Sequence, residues 1–196
     1  LKKLIFASGN KGKTREVKDL FNNTGLEIIS LLDLPDYPDV IEDGDTFEAN
    51  AKKKAVEIFE KYKLPVIADD SGLCVDQLNG APGVYSARYA GEGCSYEDNN
   101  RKLLKELSNF TQPHMAKFVC CAVYYDEANY LYTIGELPGE IIKELRGDKG
   151  FGYDPVFKPE FMEKTLAELD LDEKNKLSHR ARAFNQLKEL MIKRVL

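Results

Sequence analysis

The sequence predicts an α/β fold: a mixed β-sheet flanked by helices. Three observations carry that expectation. Short apolar runs alternate with helical periods up to Asp70, and two long apolar strands follow each other through a tight turn after Ala116. Between them, Val66-Ile67-Ala68 drives straight into Asp69-Asp70-Ser71-Gly72. Strand-forming residues that give way abruptly to small polar ones read as a buried strand ending at a site. In open α/β sheets, ligands collect at the carboxyl ends of strands.

Two adjacent acids at such an end repel each other and lose water. A divalent cation offsets that cost, and Mg²⁺ favours one or two carboxylates together with phosphate oxygens. Asp-Ser-Gly is also good material for a helix cap or turn, so both readings stand on this stretch alone.

The chain has 196 residues, enough for one large domain or two tightly joined lobes with a sizeable core. Its 28 Lys+Arg against 33 Asp+Glu give a net charge of −5, which argues against a nonspecific binder of nucleic acid polymers. A phosphate site must therefore be a local cationic pocket on an acidic body. No apolar run approaches the ~20 residues of a membrane span, and no signal-peptide pattern opens the chain, so a cytoplasmic protein off the membrane is expected. Leu1 is an unusual first residue. Cys74, Cys94, Cys120 and Cys121 lack CxxC or zinc spacing, which points to reduced thiols. Cys120 and Cys121 fall in an apolar strand, where cysteine acts as a small hydrophobe.

Taken in order, Leu4 to Ala7 predicts a buried strand, followed by Ser8-Gly9-Asn10-Lys11-Gly12-Lys13 and a helix whose Val17, Leu20 and Phe21 share a face. A strand, a small loop and a helix start aim backbone N–H groups at an anion, and the lysines add charge. The Walker spacing is absent, and Asn10 serves equally as a helix cap. Glu27 to Leu32 predicts a second strand, and Pro35 to Gly44 an acidic loop. Asp45 with Glu48 resembles a capping box for a helix with Phe47, Ala51, Ala55, Ile58 and Phe59 on its apolar face. Lys52-Lys53-Lys54 reads as a solvated charge run, although Lys54 stands one turn beyond Asn50 and can face inward.

Ser95 with Asp98 predicts the cap of a helix carrying Leu103, Leu104 and Leu107. Ala116 to Tyr125 is apolar on both faces and predicts a central strand. Asp126 to Asn129 turns it into a second strand of an antiparallel hairpin, which Gly135 and Pro138-Gly139 should end. Gly147 to Pro155 holds Phe151 and Tyr153 on glycine hinges, either as a stacking platform for a planar ring or as a turn with aromatics tucked into the core. Thr165 with Glu168 predicts a short helix, and Ser178 caps the last one. His179 and Arg180 occupy its first turn, where the helix dipole opposes cations unless an electron-rich group lies in front of them.

Five blocks, in order, resemble the inosine triphosphate pyrophosphatase family, also called Ham1 or RdgB-like. They are Ser8-Gly9-Asn10-x-x-Lys13, Ala68-Asp69-Asp70-Ser71-Gly72-Leu73, Gly80-Ala81-Pro82-Gly83-x-Tyr85-Ser86-Ala87-Arg88, Phe151-Gly152-Tyr153-Asp154-Pro155 and Ser178-His179-Arg180. The resemblance covers almost the whole chain. It implies an elongated mixed sheet in one domain, residues 1–196, with two lobes, a central cleft and a homodimer. It also implies hydrolysis of inosine, deoxyinosine and xanthosine triphosphates to monophosphate and pyrophosphate with Mg²⁺, which removes non-standard purines from the nucleotide pool.

By the same resemblance, Ser8, Gly9, Asn10, Lys11, Gly12 and Lys13 would hold the phosphates. Asp70 would accept a proton and, with Glu42, bind metal; Ser71 would touch substrate. Lys54 and Lys174 would lie near the phosphates and the base. Phe151, Gly152, Tyr153, Asp154, His179 and Arg180 would enclose the base. Ser8 stands where many relatives carry threonine, and the hydroxyl is kept.

The residues suit that chemistry. Carboxylates can hold metal and take a proton, and lysines can neutralise phosphates. Arginine and histidine can donate to a 6-oxo purine but cannot satisfy a 6-amino group. Two competing readings remain. One is a Maf-type pyrophosphatase of broader or pyrimidine specificity. The other is a non-catalytic nucleotide-binding regulator, which the adjacent Asp69-Asp70 argues against.

Overall fold

A computed structural model describes residues 2–195; Leu1 lies outside them. Its six-stranded sheet has the order β2-β1-β3-β4-β5-β6. The strands are β1 (Lys2–Phe6), β2 (Leu26–Ser30), β3 (Val66–Val75), β4 (His114–Tyr125), β5 (Tyr130–Ile141) and β6 (Phe157–Pro159). The helices are α1 (Lys11–Leu20), α2 (Phe47–Tyr62), α3 (Tyr96–Leu107), α4 (Leu171–Leu177) and α5 (His179–Arg194). β1 pairs in parallel with β2 and β3, while β6 runs antiparallel to β5, so the sheet is mixed as expected.

The chain forms two compact units. Among the described residues, one holds 2–70, 120–135 and 179–195; the other holds 71–119 and 136–178. In the first unit the strand period of two sorts side chains onto two cores. Leu4, Phe6, Ile67, Cys120 and Ala122 point to one face, where they meet Val17 from α1, Phe21 at its C-cap, and Phe184 and Leu187 from α5. Ile5, Ala7, Val66, Ala68, Cys121 and Val123 point to the other, against Ala51, Ala55 and Ile58 of α2. The second unit has its own core of Leu73, Leu103, Leu107, Phe118, Ile141, Val156 and Phe157.

Four local expectations are corrected. β3 does not end at the acids but continues through Asp69-Asp70-Ser71-Gly72 to Val75. β1 is what ends: its pairing with β3 stops at Phe6–Ile67, so the acids lie just past the carboxyl end of their parallel neighbour. β2 stops at Ser30, whose capping box with Asp33 opens a 3-10 turn. The cap of α2 is Thr46, whose side chain accepts from the Ala49 N–H, rather than Asp45. Glu48 instead accepts a hydrogen bond of 2.9 Å from the Tyr130 hydroxyl.

β5 runs through Gly135 and Pro138-Gly139. These glycines mark close approach, not strand ends. A Cβ on Gly135 would sit 2.5 Å from the Ala183 nitrogen in α5, and one on Gly139 would collide with the Phe157 ring. The capping boxes at Ser95–Asp98 and Thr165–Glu168 are present. A further one, Asp170–Glu173, opens α4, an element whose D-x-x-E signal went unread in the sequence. No helix among the described residues is long and apolar enough to cross a membrane.

Candidate active site

Asp69 and Asp70 are sequence neighbours, and the pleat sends them to opposite faces of β3. Asp70 follows Ala68 onto the α2 face. Its Oδ2 accepts from Asn50 Nδ2 at 3.1 Å, and its Oδ1 lies 3.9 Å from Lys54 Nζ. Lys54 is 9 % exposed and also donates to Glu42 Oε2 at 2.8 Å, so this member of the lysine run does turn inward. Lys53 keeps to the surface with Asp43. Burial drives the Asp70 pKa upward, Lys54 and Lys13 oppose that, and Glu42 adds to it; the net shift is upward. The repulsion expected between adjacent acids therefore comes to Asp70 from Glu42 across the loop.

Asp69 follows Ile67 onto the other face and is fully buried. Its Oδ2 lies 3.1 Å from Lys13 Nζ, 3.2 Å from Arg180 Nε and 3.8 Å from Cys120 Sγ. Arg180 Nη1 donates to Glu16 Oε2 at 2.6 Å, with both residues buried. Burial works against the Arg180 charge, but Asp69 and Glu16 outweigh it and raise its pKa. Lys13 behaves likewise: burial lowers its pKa, Asp69 opposes this, and the result is a raised value. The electron-rich group expected in front of Arg180 is supplied by the chain. Two carboxylates of the chain itself resolve the conflict with the helix dipole. His179, next to it, is 4 % exposed.

Asn10 caps α1: its side chain accepts from the Lys13 N–H at 3.0 Å, and its own N–H donates to Ser8 Oγ at 3.2 Å. The cap reading and the loop geometry thus hold together. Lys11 and Gly12 open the helix, and a Cβ on Gly9 would lie 3.3 Å from the Tyr37 hydroxyl. The first unit therefore holds Ser8, Gly9, Asn10, Lys11, Gly12, Lys13, Glu42, Lys54, Asp70, His179 and Arg180.

The second unit holds Ser71, Phe151, Gly152, Tyr153, Asp154 and Lys174. Lys174, on α4, donates to Asp154 Oδ2 at 2.6 Å, and the same oxygen accepts from the Phe151 N–H at 2.8 Å. The Lys174 ammonium lies 4.7 Å from the Phe151 ring centroid. Asn100, on α3, donates to the Gly152 carbonyl at 2.9 Å. Tyr153 departs from the stacking expectation. It is 3 % exposed and its hydroxyl donates to the Ser86 carbonyl at 2.9 Å, so this ring belongs to the core. Phe151 is half-buried and keeps ring surface to offer.

Among the described residues no three His, Cys, Asp or Glu side chains converge as a metal cage. Glu42 and Asp70, bridged by Lys54, are a two-carboxylate set of the kind Mg²⁺ takes when a bound phosphate completes its shell. The residues present fit that ion. Asn50 and Glu16 went unread as site residues. The signal for Asn50 was its one-turn spacing from Lys54, and for Glu16 its position three residues after Lys13 on the same helix.

Fold and site together define an α/β protein whose lysines and carboxylates suit a metal-bound anion. The chain belongs to the Ham1 family, whose pattern matches residues 4–190. It is 46 % identical over 192 residues to the dITP/XTP pyrophosphatase of Oceanobacillus iheyensis, covering 96 % of this chain and 98 % of that one. It is 48 % identical over 189 residues to the dITP/XTP pyrophosphatase of Geobacter sulfurreducens, covering 95 % of each. Among solved structures, the Ham1 protein of Staphylococcus aureus superposes with a TM-score of 0.86 at 41 % identity, covering 98 % of this chain and 99 % of that one. The HAM1 protein of Coxiella burnetii gives 0.89 at 36 % identity, covering 98 % and 100 %.

Proposed function

We propose that the chain is a nucleoside triphosphate pyrophosphatase acting on non-standard purine nucleotides (ITP, dITP and XTP), releasing monophosphate and pyrophosphate. Relatives at 46 % and 48 % identity over nearly the full length carry the name dITP/XTP pyrophosphatase, and this supports the substrate class. The observation that carries the chemistry is the buried Asp70 carboxylate, held by Asn50 at 3.1 Å and set 3.9 Å from Lys54, which Glu42 shares at 2.8 Å; burial pushes its pKa up. A carboxylate whose pKa is raised toward neutrality is a stronger base toward water. Mg²⁺, when held by Glu42 and Asp70, supplies charge neutralisation on the triphosphate and a more acidic water.

The chain's own residues do the rest. Asp70 takes the proton of the attacking water, and Asn50 fixes the carboxylate that takes it. Lys13 and Lys54 neutralise phosphate oxygens as pyrophosphate leaves. Ser8 to Gly12 present the α1 start to the phosphates, and Ser71 contacts substrate. Phe151, braced by Asp154 and Lys174 and by Asn100 behind Gly152, has a ring that suits a purine face, and His179 has a donor that suits a 6-oxo group. The protein works as a cytoplasmic homodimer in one two-lobed domain, which light scattering checks.

The test of the reaction is a panel of nucleoside triphosphates with Mg²⁺, scored for pyrophosphate against orthophosphate. Pyrophosphate from ITP and XTP well above that from ATP, UTP and TTP supports the reading. Preference for UTP or TTP favours the Maf-type alternative, and binding without turnover favours a regulator.

A further inference from the structure

Four charges alternate along the α1/α5 face, three of them buried: Glu16, Arg180 and Asp69, with Lys13 half-buried at the end. The side chains of Glu16, Arg180 and Asp69 are 4 %, 2 % and 0 % exposed, while that of Lys13 is 15 % exposed. Lys13 is therefore the most open of the four and has a way out. It also sits in the first turn of α1, just after the Ser8 to Asn10 loop.

A buried carboxylate stripped of its partner is strongly unfavourable. If Lys13 alone neutralised Asp69, it could not move to a phosphate without leaving that penalty behind. Arg180 Nε lies on the same Asp69 oxygen, so the acid stays paired when Lys13 departs. Glu16 anchors the far side of the guanidinium through Nη1. The planar fork of arginine suits two acids at once, where an ammonium would choose between them.

We propose that Arg180 is a positioning residue: backed by Glu16, it keeps Asp69 neutralised so that Lys13 is free to pass from Asp69 to a triphosphate oxygen. This deepens the proposed function and rests on its assignment of Lys13 to the phosphates. It gives Asp69 the part of a holding group for Lys13 and no part in binding metal.

The test reads affinity for inorganic tripolyphosphate by calorimetry on the full chain, which needs no turnover. Glu16→Gln with Arg180→Gln removes the pair at no change in net charge and leaves Lys13 as the counterion of Asp69. Tripolyphosphate affinity should then fall about ten- to a hundred-fold, the scale of one charged hydrogen bond. Adding Asp69→Asn should restore it to the wild-type value or better, and adding Lys13→Met should remove that rescue. Unchanged affinity in the Glu16/Arg180 variant overturns the proposal. So does a loss that Asp69→Asn fails to rescue, since Arg180 would then hold the ligand itself.

Should that variant not fold, Asp69→Asn alone leaves Arg180 paired with Glu16. It must bind tripolyphosphate no more weakly than wild type, and a tenfold loss overturns the proposal. A chain that shows the rescue but hydrolyses no nucleotide keeps this inference and loses the pyrophosphatase reading. One that hydrolyses ITP without the rescue does the reverse.

Discussion

Asp70 and Asp154 are both buried carboxylates beside a buried lysine, one in each unit, and they are set up differently. Lys174 sits 2.6 Å from Asp154, whose same oxygen also accepts the Phe151 N–H. Lys54 is drawn away from Asp70, 3.9 Å distant, toward Glu42 at 2.8 Å. The Asp154 pair is tight and, through the Phe151 N–H on the same oxygen, braces a loop. The Asp70 set holds two acids against one close lysine, and its pKa rises. A tight ion pair braces, whereas a divided one leaves room for a cation and a proton.

Breaking the tight pair should have the largest effect. Asp154→Ala leaves the Lys174 ammonium buried without its carboxylate, a change worth about 3–5 kcal/mol. For a chain of this size that is a fall of roughly 10 °C in Tm, read by calorimetry. A loss within 2 °C would mean that the pair does not brace the loop.

Next comes the divided set. Asp70→Asn should lower turnover of ITP by about 10²-fold or more, the scale of a positioned acid–base group. Metal-free stability should hold or rise. Because the folded-state pKa of Asp70 is raised, wild type bears the cost of an ionised, buried acid at neutral pH, and Asn does not. The stability difference should therefore be largest near pH 7. It should shrink as pH falls through the unfolded-state pKa of about 3.9 and vanish below about pH 3, where the carboxyl is neutral in both folded and unfolded states. Thermal unfolding across that range without Mg²⁺ checks the sign. A variant less stable than wild type at pH 7 would contradict it.

Two aromatics sharpen the contrast inside the second unit. Phe151→Leu should raise KM for ITP by the equivalent of about 1–3 kcal/mol, the worth of one base–aromatic stack, with little change in Tm. Tyr153→Phe should do the opposite. Losing the bond to the Ser86 carbonyl costs about 0.5–1.5 kcal/mol of stability and leaves KM alone. A KM effect from Tyr153→Phe would return that ring to the site.

Local signals were legible in the sequence where the physics is local. The Ser95–Asp98 and Thr165–Glu168 boxes, the Asp126–Asn129 turn and the continuous apolar run that buries both Cys120 and Cys121 are all local signals. The inward turn of Lys54 was legible too, because one helical turn separates it from Asn50. What spacing could not give was contact between distant segments. Gly135 looks like a strand breaker until α5 is seen against it. Arg180 looks in need of a ligand until Asp69 and Glu16, 111 and 164 residues away, come to meet it. Even Asp69-Asp70 misleads as a pair, since the pleat makes them strangers.

Gly135 also bears on how this protein tolerates change. It has no side chain to offer the site, yet a methyl there would press on the carbonyl of His179 and the amide of Ala183, the first turns of α5. That helix carries Arg180 into the acids, and Thr133 Oγ1 fastens it to β5 by donating to the Ala183 carbonyl at 2.8 Å. A one-carbon addition on the strand would therefore act as a wedge, tilting the guanidinium away from Asp69. In a mutational scan scored by growth or activity, position 135 would look like a catalytic residue. Its true office is clearance, and an inhibitor search or a drifting lineage would meet it as a silent boundary on where the last helix can stand.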